Sequence, residues 1–247
     1  MRYAVLADLH ANRQAIEACL LHAGGQHYDR LVLLGDIVGY GGDPLWAAEF
    51  AQGAVAQGAL AVLGNHDEAV ATGRSAGMTG DAAAAVAWHR SVLPPASLAF
   101  LGALPREAMA EEIRLLHADP AAPDSWNYVT DAEAARAGLD ASPHWLTLCG
   151  HVHAPRLYGL TATDKLAALR PVPGQAVPLL RARRWLAVMG SVGQPRDGDP
   201  SACYAILDSG RAECTWHRVP YEVEAAAARI RAAGLPERLA ARLSEGR

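Results

Sequence analysis

Lysine is almost missing from this 247-residue chain: Lys165 stands alone, and the other basic residues are arginines. No basic block occurs, and the formal net charge is −4. Stable nucleic-acid binding rests on many cationic contacts to phosphate, so the composition argues against a protein that lives on DNA or RNA. Cysteine is also sparse. Cys19, Cys149, Cys203 and Cys214 stand far apart, with no Cys-x-x-Cys among them. A chain of this size needs no disulfide staples, so reduced thiols are expected. No apolar run is long enough to span a membrane, and residues 1–10 read as a strand entering a turn rather than a charged leader. The expectation is a soluble, cytoplasmic protein with no membrane partner. There is no Gly-x-x-x-x-Gly-Lys-Ser/Thr loop, which sets aside a P-loop ATPase. The shortage of lysine and the abundance of alanine read as coding bias and imply no chemistry.

Apolar residues make up 51% of the chain, enough for a sizeable core. Short apolar runs at 3–7, 31–34 and 59–63 alternate with stretches of helical spacing at 15–23 and 44–57, the signature of a parallel sheet. Residues 69–104 read as mostly helical, broken at Pro94 and Pro95. Further strands are expected at 113–116, 145–149 and 185–189, with a turn-rich loop over 119–128, short β-like pieces alternating with Pro and Gly over 156–190, and a polar loop over 190–199. Residues 204–207 and 214–219 read as a hairpin, and 221–233 and 236–243 as terminal helices. No linker separates the two halves, so one domain over 1–247 with two packed sheets is expected.

Five short polar clusters each follow a strand-like run: Asp8 with His10, Asp36, Asn65 with His66, His117, and His151 with His153. Any one of them has a bland explanation, because Asp-x-His caps helices and a lone histidine is usually a satisfied core residue. Together they hold five of the ten histidines, and independent turns have no reason to place such residues at five successive strand ends. A metal site has that reason, since its ligands must converge from different strands.

In the order Asp8-Leu9-His10, Gly35-Asp36, Gly64-Asn65-His66-Asp67, His117, Gly150-His151-Val152-His153, the residues resemble the calcineurin-like metallophosphoesterase superfamily. Residues 39–44 and 190–199 look like those of its compact YfcE-like or diadenosine-tetraphosphatase-related members. The resemblance implies a four-layer αββα sandwich of two mixed sheets flanked by helices. It implies two divalent ions, one held by Asp8, His10, Asp36 and His153, the other by Asp36, Asn65, His117 and His151, with Asp36 bridging. It further implies that His66 faces the substrate as general acid and that Asp67 orients His66. Asn12, Tyr40, Gln194 and Arg196 are candidate substrate contacts. A donor set of imidazole, carboxylate and amide oxygen favours manganese or iron, with zinc, nickel or cobalt also accommodated.

Such a pair of ions makes hydroxide from a bridging water available near neutral pH, for in-line attack on phosphorus. A small phosphodiester, nucleotide or dinucleoside polyphosphate is the expected substrate. Tyr40 stands where the protein phosphatases of this superfamily carry the arginine of Asp-Arg-Gly, which disfavours a protein-phosphatase-like regulator. A non-catalytic scaffold, like the retromer subunit with this fold, should have lost ligands, and none is missing. Ala11 and Ala118 replace usual glycines and should alter only loop conformation. Cys149 reads as core, and Arg181, Arg183 and Arg184 as a solvated face. His22, His27, His89, His144 and His217 fall outside the motifs and read as surface or structural residues.

Overall fold

Tyr3, Val5 and Ala7 point one way along the first strand and its exit, Ala4 and Leu6 the other, and all five are buried. A strand buried on both faces must lie between two layers. The computed structural model describes residues 1–247 and shows what those layers are. The first half contains β1 (Arg2–Leu6), α1 (Arg13–Gly25), β2 (Arg30–Leu33), α2 (Pro44–Ala56), β3 (Leu60–Ala61), α3 (Asn65–Thr72), α4 (Gly80–Val92), α5 (Pro95–Gly102), β4 (Glu107–Ala110) and β5 (Ile113–Leu116). The second half contains α6 (Ala132–Asp140), β6 (Leu146–Cys149), β7 (Arg156–Leu160), β8 (Leu166–Leu169), β9 (Ala176–Pro178), β10 (Arg184–Val188), β11 (Ala202–Asp208), β12 (Glu213–Val219), α7 (Val223–Ala232) and α8 (Glu237–Glu245).

One six-stranded sheet runs β3-β2-β1-β11-β12-β9, and the other β4-β5-β6-β10-β7-β8. Both are mixed: β1, β2 and β3 are parallel, as are β5, β6 and β10, while the remaining pairings are antiparallel. Between the sheets lies a core that includes Tyr3, Val5, Leu115, Leu148, Trp185 and Trp216. Fully burying side chains of this kind contributes about 1.5–3 kcal/mol each. The outer face of the first sheet packs on α1, α2 and their neighbours through Leu6, Leu33, Ile16 and Ala47. The outer face of the second is covered by α6, through Leu186, Val188, Ala135 and Leu139. The result is the αββα sandwich, and no helix is long and apolar enough to cross a membrane.

Two elements, β4 and α6, carried no expectation. Glu107 to Ala110 has no apolar alternation and becomes a strand only by pairing with β5. A third difference bears on the site. Asn65 and His66 open α3 rather than lying in a strand-end loop, because Asp67 reaches back to cap the Gly64 N–H at 3.1 Å.

Candidate metal centre

The parallel strands deliver their carboxyl ends to one edge of the sandwich, the place where open α/β sheets position ligands. Asp8 follows β1, Asp36 follows β2, His117 follows β5, and His151 and His153 follow β6. Asp8, His10, Asp36, His151 and His153 all take left-handed φ angles, between +48° and +66°. Such residues cost of order 1–3 kcal/mol each and cluster where surrounding structure forces them for function. Ala11 is left-handed too (φ +50°), the conformation its usual glycine would take freely.

Ligand-type atoms of Asp8, His10, Asp36 and His153 lie within 4.8 Å of one another, as do those of Asp36, His117 and His151. Asp36 belongs to both groups, with its Oδ2 3.6 Å from His10 Nε2 and 3.4 Å from His117 Nε2. Asn65 Oδ1 sits 3.2 Å from His117 Nε2.

Each histidine spends its outward nitrogen on a backbone carbonyl. His10 Nδ1 donates to Val38, His117 Nδ1 to Leu34, His153 Nδ1 to Gln194 and His151 Nε2 to Trp126. A carbonyl can only accept, so those nitrogens carry protons, and the opposite nitrogens face inward, as lone pairs wherever the ring is neutral. Two such nitrogens face each other at 3.0 Å, His10 Nε2 and His153 Nε2, and two more at 3.2 Å, His117 Nε2 and His151 Nδ1. Facing lone pairs repel unless a proton or a metal cation lies between them. With two buried carboxylates alongside, this donor set fits divalent cations.

In the protein alone the cluster balances its charge with protons. Burial pushes the Asp8 carboxyl up to about 7 against the pull of His117. Burial also works to lower His117, but the charge and hydrogen bond of Asp36 and the charge of Asp8 outweigh it and raise the ring to about 9. His151, dominated by burial, falls to about 3. Burial would raise Asp36 as well, and the charges of His117 and His66 hold it well below the usual carboxylate range instead.

Beside the cluster opens a cavity of about 520 Å³, lined by Asp36, Asn65, His66, His151 and His153 together with Tyr40 and Arg196. The His66 backbone N–H donates to Asp36 Oδ1 at 2.9 Å, which ties this residue to the shared carboxylate. Its ring packs against His10 and Tyr40, with centroids 5.1 and 4.4 Å away. Its Nδ1 is buried without a hydrogen-bond partner.

Three candidate residues direct their hydrogen bonds elsewhere than expected. Asp67 does not touch the His66 ring through a hydrogen bond: its carboxylate accepts from Val38 N–H and Gly64 N–H, so it braces backbone. Asn12 does not line the cavity. Its Oδ1 caps α1 at Ala15 N–H, and its Nδ2 donates to the Gly193 carbonyl and Tyr221 hydroxyl, leaving nothing for a substrate. Gln194 is fully buried and serves through others: its carbonyl accepts from His153, and its Oε1 accepts from Arg196 at 2.9 Å. The 190–199 loop lies against the Asp8 turn, with Ser191 Oγ and Gly193 N–H both donating to the Asp8 carbonyl. Gly193 is required there because a Cβ would run into the Leu9 carbonyl.

Tyr40 and Arg196 do reach the cavity, with the Arg196 guanidinium 5.5 Å from the centre of the Tyr40 ring. Arg181 and Arg184 instead pair with Glu112 and Asp140, away from the cavity. The cavity lining also includes residues that sequence reasoning missed. Tyr128 stacks on His151 at 4.1 Å, and Trp126 presents its carbonyl to the same ring. Two aromatics in the turn-rich loop directly after His117 were the available signal.

The model of the calcineurin-like phosphoesterase superfamily domain matches residues 1–211. The chain is 30% identical over 249 residues to an uncharacterized protein of Methanocaldococcus jannaschii, covering 99% of this chain and 98% of that one. A crystal structure of a metallophosphoesterase from Sphaerobacter thermophilus aligns over 100% of this chain and 99% of its own, with TM-score 0.87 and 35% identity. A hypothetical protein from Pyrococcus horikoshii shares the fold over 100% and 98% of the two chains, with TM-score 0.80 and 18% identity.

Proposed function

Since the chain belongs to the calcineurin-like phosphoesterase superfamily, we propose that it is a dinuclear metal-dependent phosphoesterase for small phosphodiesters, nucleotides or dinucleoside polyphosphates. The observation that carries this reading is the two pairs of inward-facing imidazole nitrogens flanking Asp8 and Asp36, each ring locked from behind by a carbonyl. Asp8, His10, Asp36 and His153 hold one ion, and Asp36, Asn65, His117 and His151 the other, with manganese or iron best matched to the donors. When bound, the ions supply Lewis acidity, lowering the pKa of coordinated water and neutralising charge on the phosphoryl oxygens.

The chain's own residues do the rest. The closed rear of the cluster excludes bulk water, which strengthens every charge interaction inside it. Asp36 positions the first turn of α3 through the His66 N–H, so His66 stays beside the reacting phosphate. The Nδ1 of His66 is shut off from solvent, which leaves Nε2 to give a proton to the leaving oxygen. Arg196 has its guanidinium held by Gln194 and Tyr40 rather than by a carboxylate, and so remains free to bind phosphate oxygens.

Arg196 also favours a second reading, phosphomonoester hydrolysis. It places a cation over Tyr40, close to where the protein phosphatases carry their arginine. The two readings separate on manganese-reconstituted protein assayed with bis-p-nitrophenyl phosphate, dinucleoside polyphosphates, p-nitrophenyl phosphate and a phosphoserine peptide. The diester and polyphosphate substrates are expected to show the higher kcat/KM, and a strong preference for the phosphopeptide rejects the diester assignment. Arg196→Gln should cost the monoester dianion more than the diester. Loss of a charge-assisted contact predicts a roughly ten- to hundredfold fall in monoester kcat/KM. Equal kcat/KM for Arg196→Gln and wild type on every substrate removes Arg196 from the binding site.

A further inference from the structure

His89 lies outside every motif, yet it is fully buried. From α4 it reaches one three-residue loop with both ring nitrogens: Nδ1 accepts from the Gly39 N–H at 3.0 Å, and Nε2 donates to the Gly41 carbonyl at 2.8 Å. An amide N–H can only donate and a carbonyl can only accept, so the ring is held neutral with its proton on Nε2. Burial also lowers its pKa, to about 4, in keeping with that state.

The clamped loop runs through left-handed backbone at two successive residues, Gly39 (φ +101°) and Tyr40 (φ +59°). A tyrosine takes that conformation only where its surroundings impose it. What the loop touches on its far side is the reaction centre. A Cβ on Gly39 would lie 2.5 Å from His66 Nδ1, so the Gly39 backbone abuts that ring. Tyr40 packs against His66 and His10, with ring centroids 4.4 and 4.6 Å away, and beneath Arg196. Behind Tyr40, Ala82 and Ala85 of α4 join Ile230 of α7 and Leu243 of α8 in one apolar cluster. Thus α4 both backs Tyr40 and supplies the two hydrogen bonds that set the loop's course.

We propose that His89 is a positioning residue for the hydrolysis: by clamping residues 39–41 it seats Gly39 and Tyr40 against His66 and fixes the orientation in which His66 meets the leaving group. The proposal rests on the reading of His66 as the acid. Misplacement of a reacting group by about 1 Å, even by a change remote from the chemistry, can cost on the order of 10²-fold in rate.

Three substitutions grade the clamp. Gln places an amide N–H near the imidazole Nε2 and restores the bond to Gly41. Asn places an acceptor near Nδ1 and restores the bond from Gly39. Phe fills the space and restores neither. With manganese-reconstituted protein, His89→Phe should keep the wild-type metal content and KM but lower kcat on a poor leaving group by roughly 10²-fold. The Gln and Asn variants should fall between it and wild type, and carry the test if the Phe variant does not fold. The loss should shrink for p-nitrophenyl esters, and a double variant with His66→Gln should be no slower than His66→Gln alone. A crystal structure of the slowest variant that folds should show the Tyr40 and His66 rings displaced, a readout that needs no substrate. Unmoved rings, an unchanged kcat, or additive losses in the double variant overturn the proposal and leave the phosphoesterase reading standing. A wild-type protein inactive on the whole substrate panel overturns that reading, and the catalytic role of His89 with it.

Discussion

Asp36→Ala is expected to remove metal and activity together. Its carboxylate is common to both ligand groups, lies within 3.6 Å of His10 Nε2 and His117 Nε2, and accepts the His66 N–H. The other buried carboxylate of the cluster, Asp8, is fixed at its own position by the His151 N–H, 3.0 Å from both oxygens. Without Asp36, one ligand group keeps only Asp8 as carboxylate and the other keeps none. Elemental analysis after manganese reconstitution should show close to two ions in the wild type and at most one in the variant. Metal catalysis supplies several kcal/mol, so kcat should fall by roughly 10³-fold or more. An Asp36→Ala protein that keeps two ions and turns over normally removes the shared-carboxylate assignment altogether.

His66→Gln should behave in the opposite way towards metal. Asn65 and His66 are adjacent at the start of α3, yet Asn65 Oδ1 points to His117 while the His66 ring lies against Tyr40 and His10. The variant is expected to keep both ions and to lose roughly 10²–10⁴ in kcat, the range typical of general acid–base catalysis. The loss should be smallest for p-nitrophenol, which leaves readily without a proton, and largest for an alkoxide. Metal stoichiometry measured beside kinetics decides the matter. If the variant loses metal as Asp36→Ala does, His66 is a ligand. If it keeps both ions and full rate on a poor leaving group, another group supplies the proton.

A comparison of residues shows why some of the site was legible from sequence and some was not. Asp8, His10, Asp36, His117, His151 and His153 stand at strand exits, with Asn65 opening the helix after β3, and parallel strands must bring their exits to one edge. That part follows from local pattern and topology. Arg196, Tyr128 and His89 carry no such mark. Arg196 reaches the cavity because the 190–199 loop is folded under the Asp8 turn by Ser191 and Gly193. Tyr128 does so because its loop turns back over His151. Two other candidates show the same dependence on tertiary contacts: the side chain of Asn12 is turned to capping and bracing, and Gln194 Oε1 holds Arg196.

By itself the sequence determined the layered α/β architecture, because apolar runs of strand length alternating with helical periodicity leave few ways to bury both faces. It also determined the set of residues available to a metal, because histidine and aspartate at successive strand ends have few other uses. Tertiary structure alone decided what each of them does. Which imidazole nitrogen faces inward depends on carbonyls supplied by Leu34, Val38, Trp126 and Gln194, which are distant in the chain from the rings they hold or lie in other loops. Asp67 became a backbone brace because α3 begins at Asn65. His89 became the clamp on residues 39–41 because α4 packs behind them. Side-chain roles of this kind are set by directional hydrogen bonds across long sequence separations, and local pattern holds no record of them.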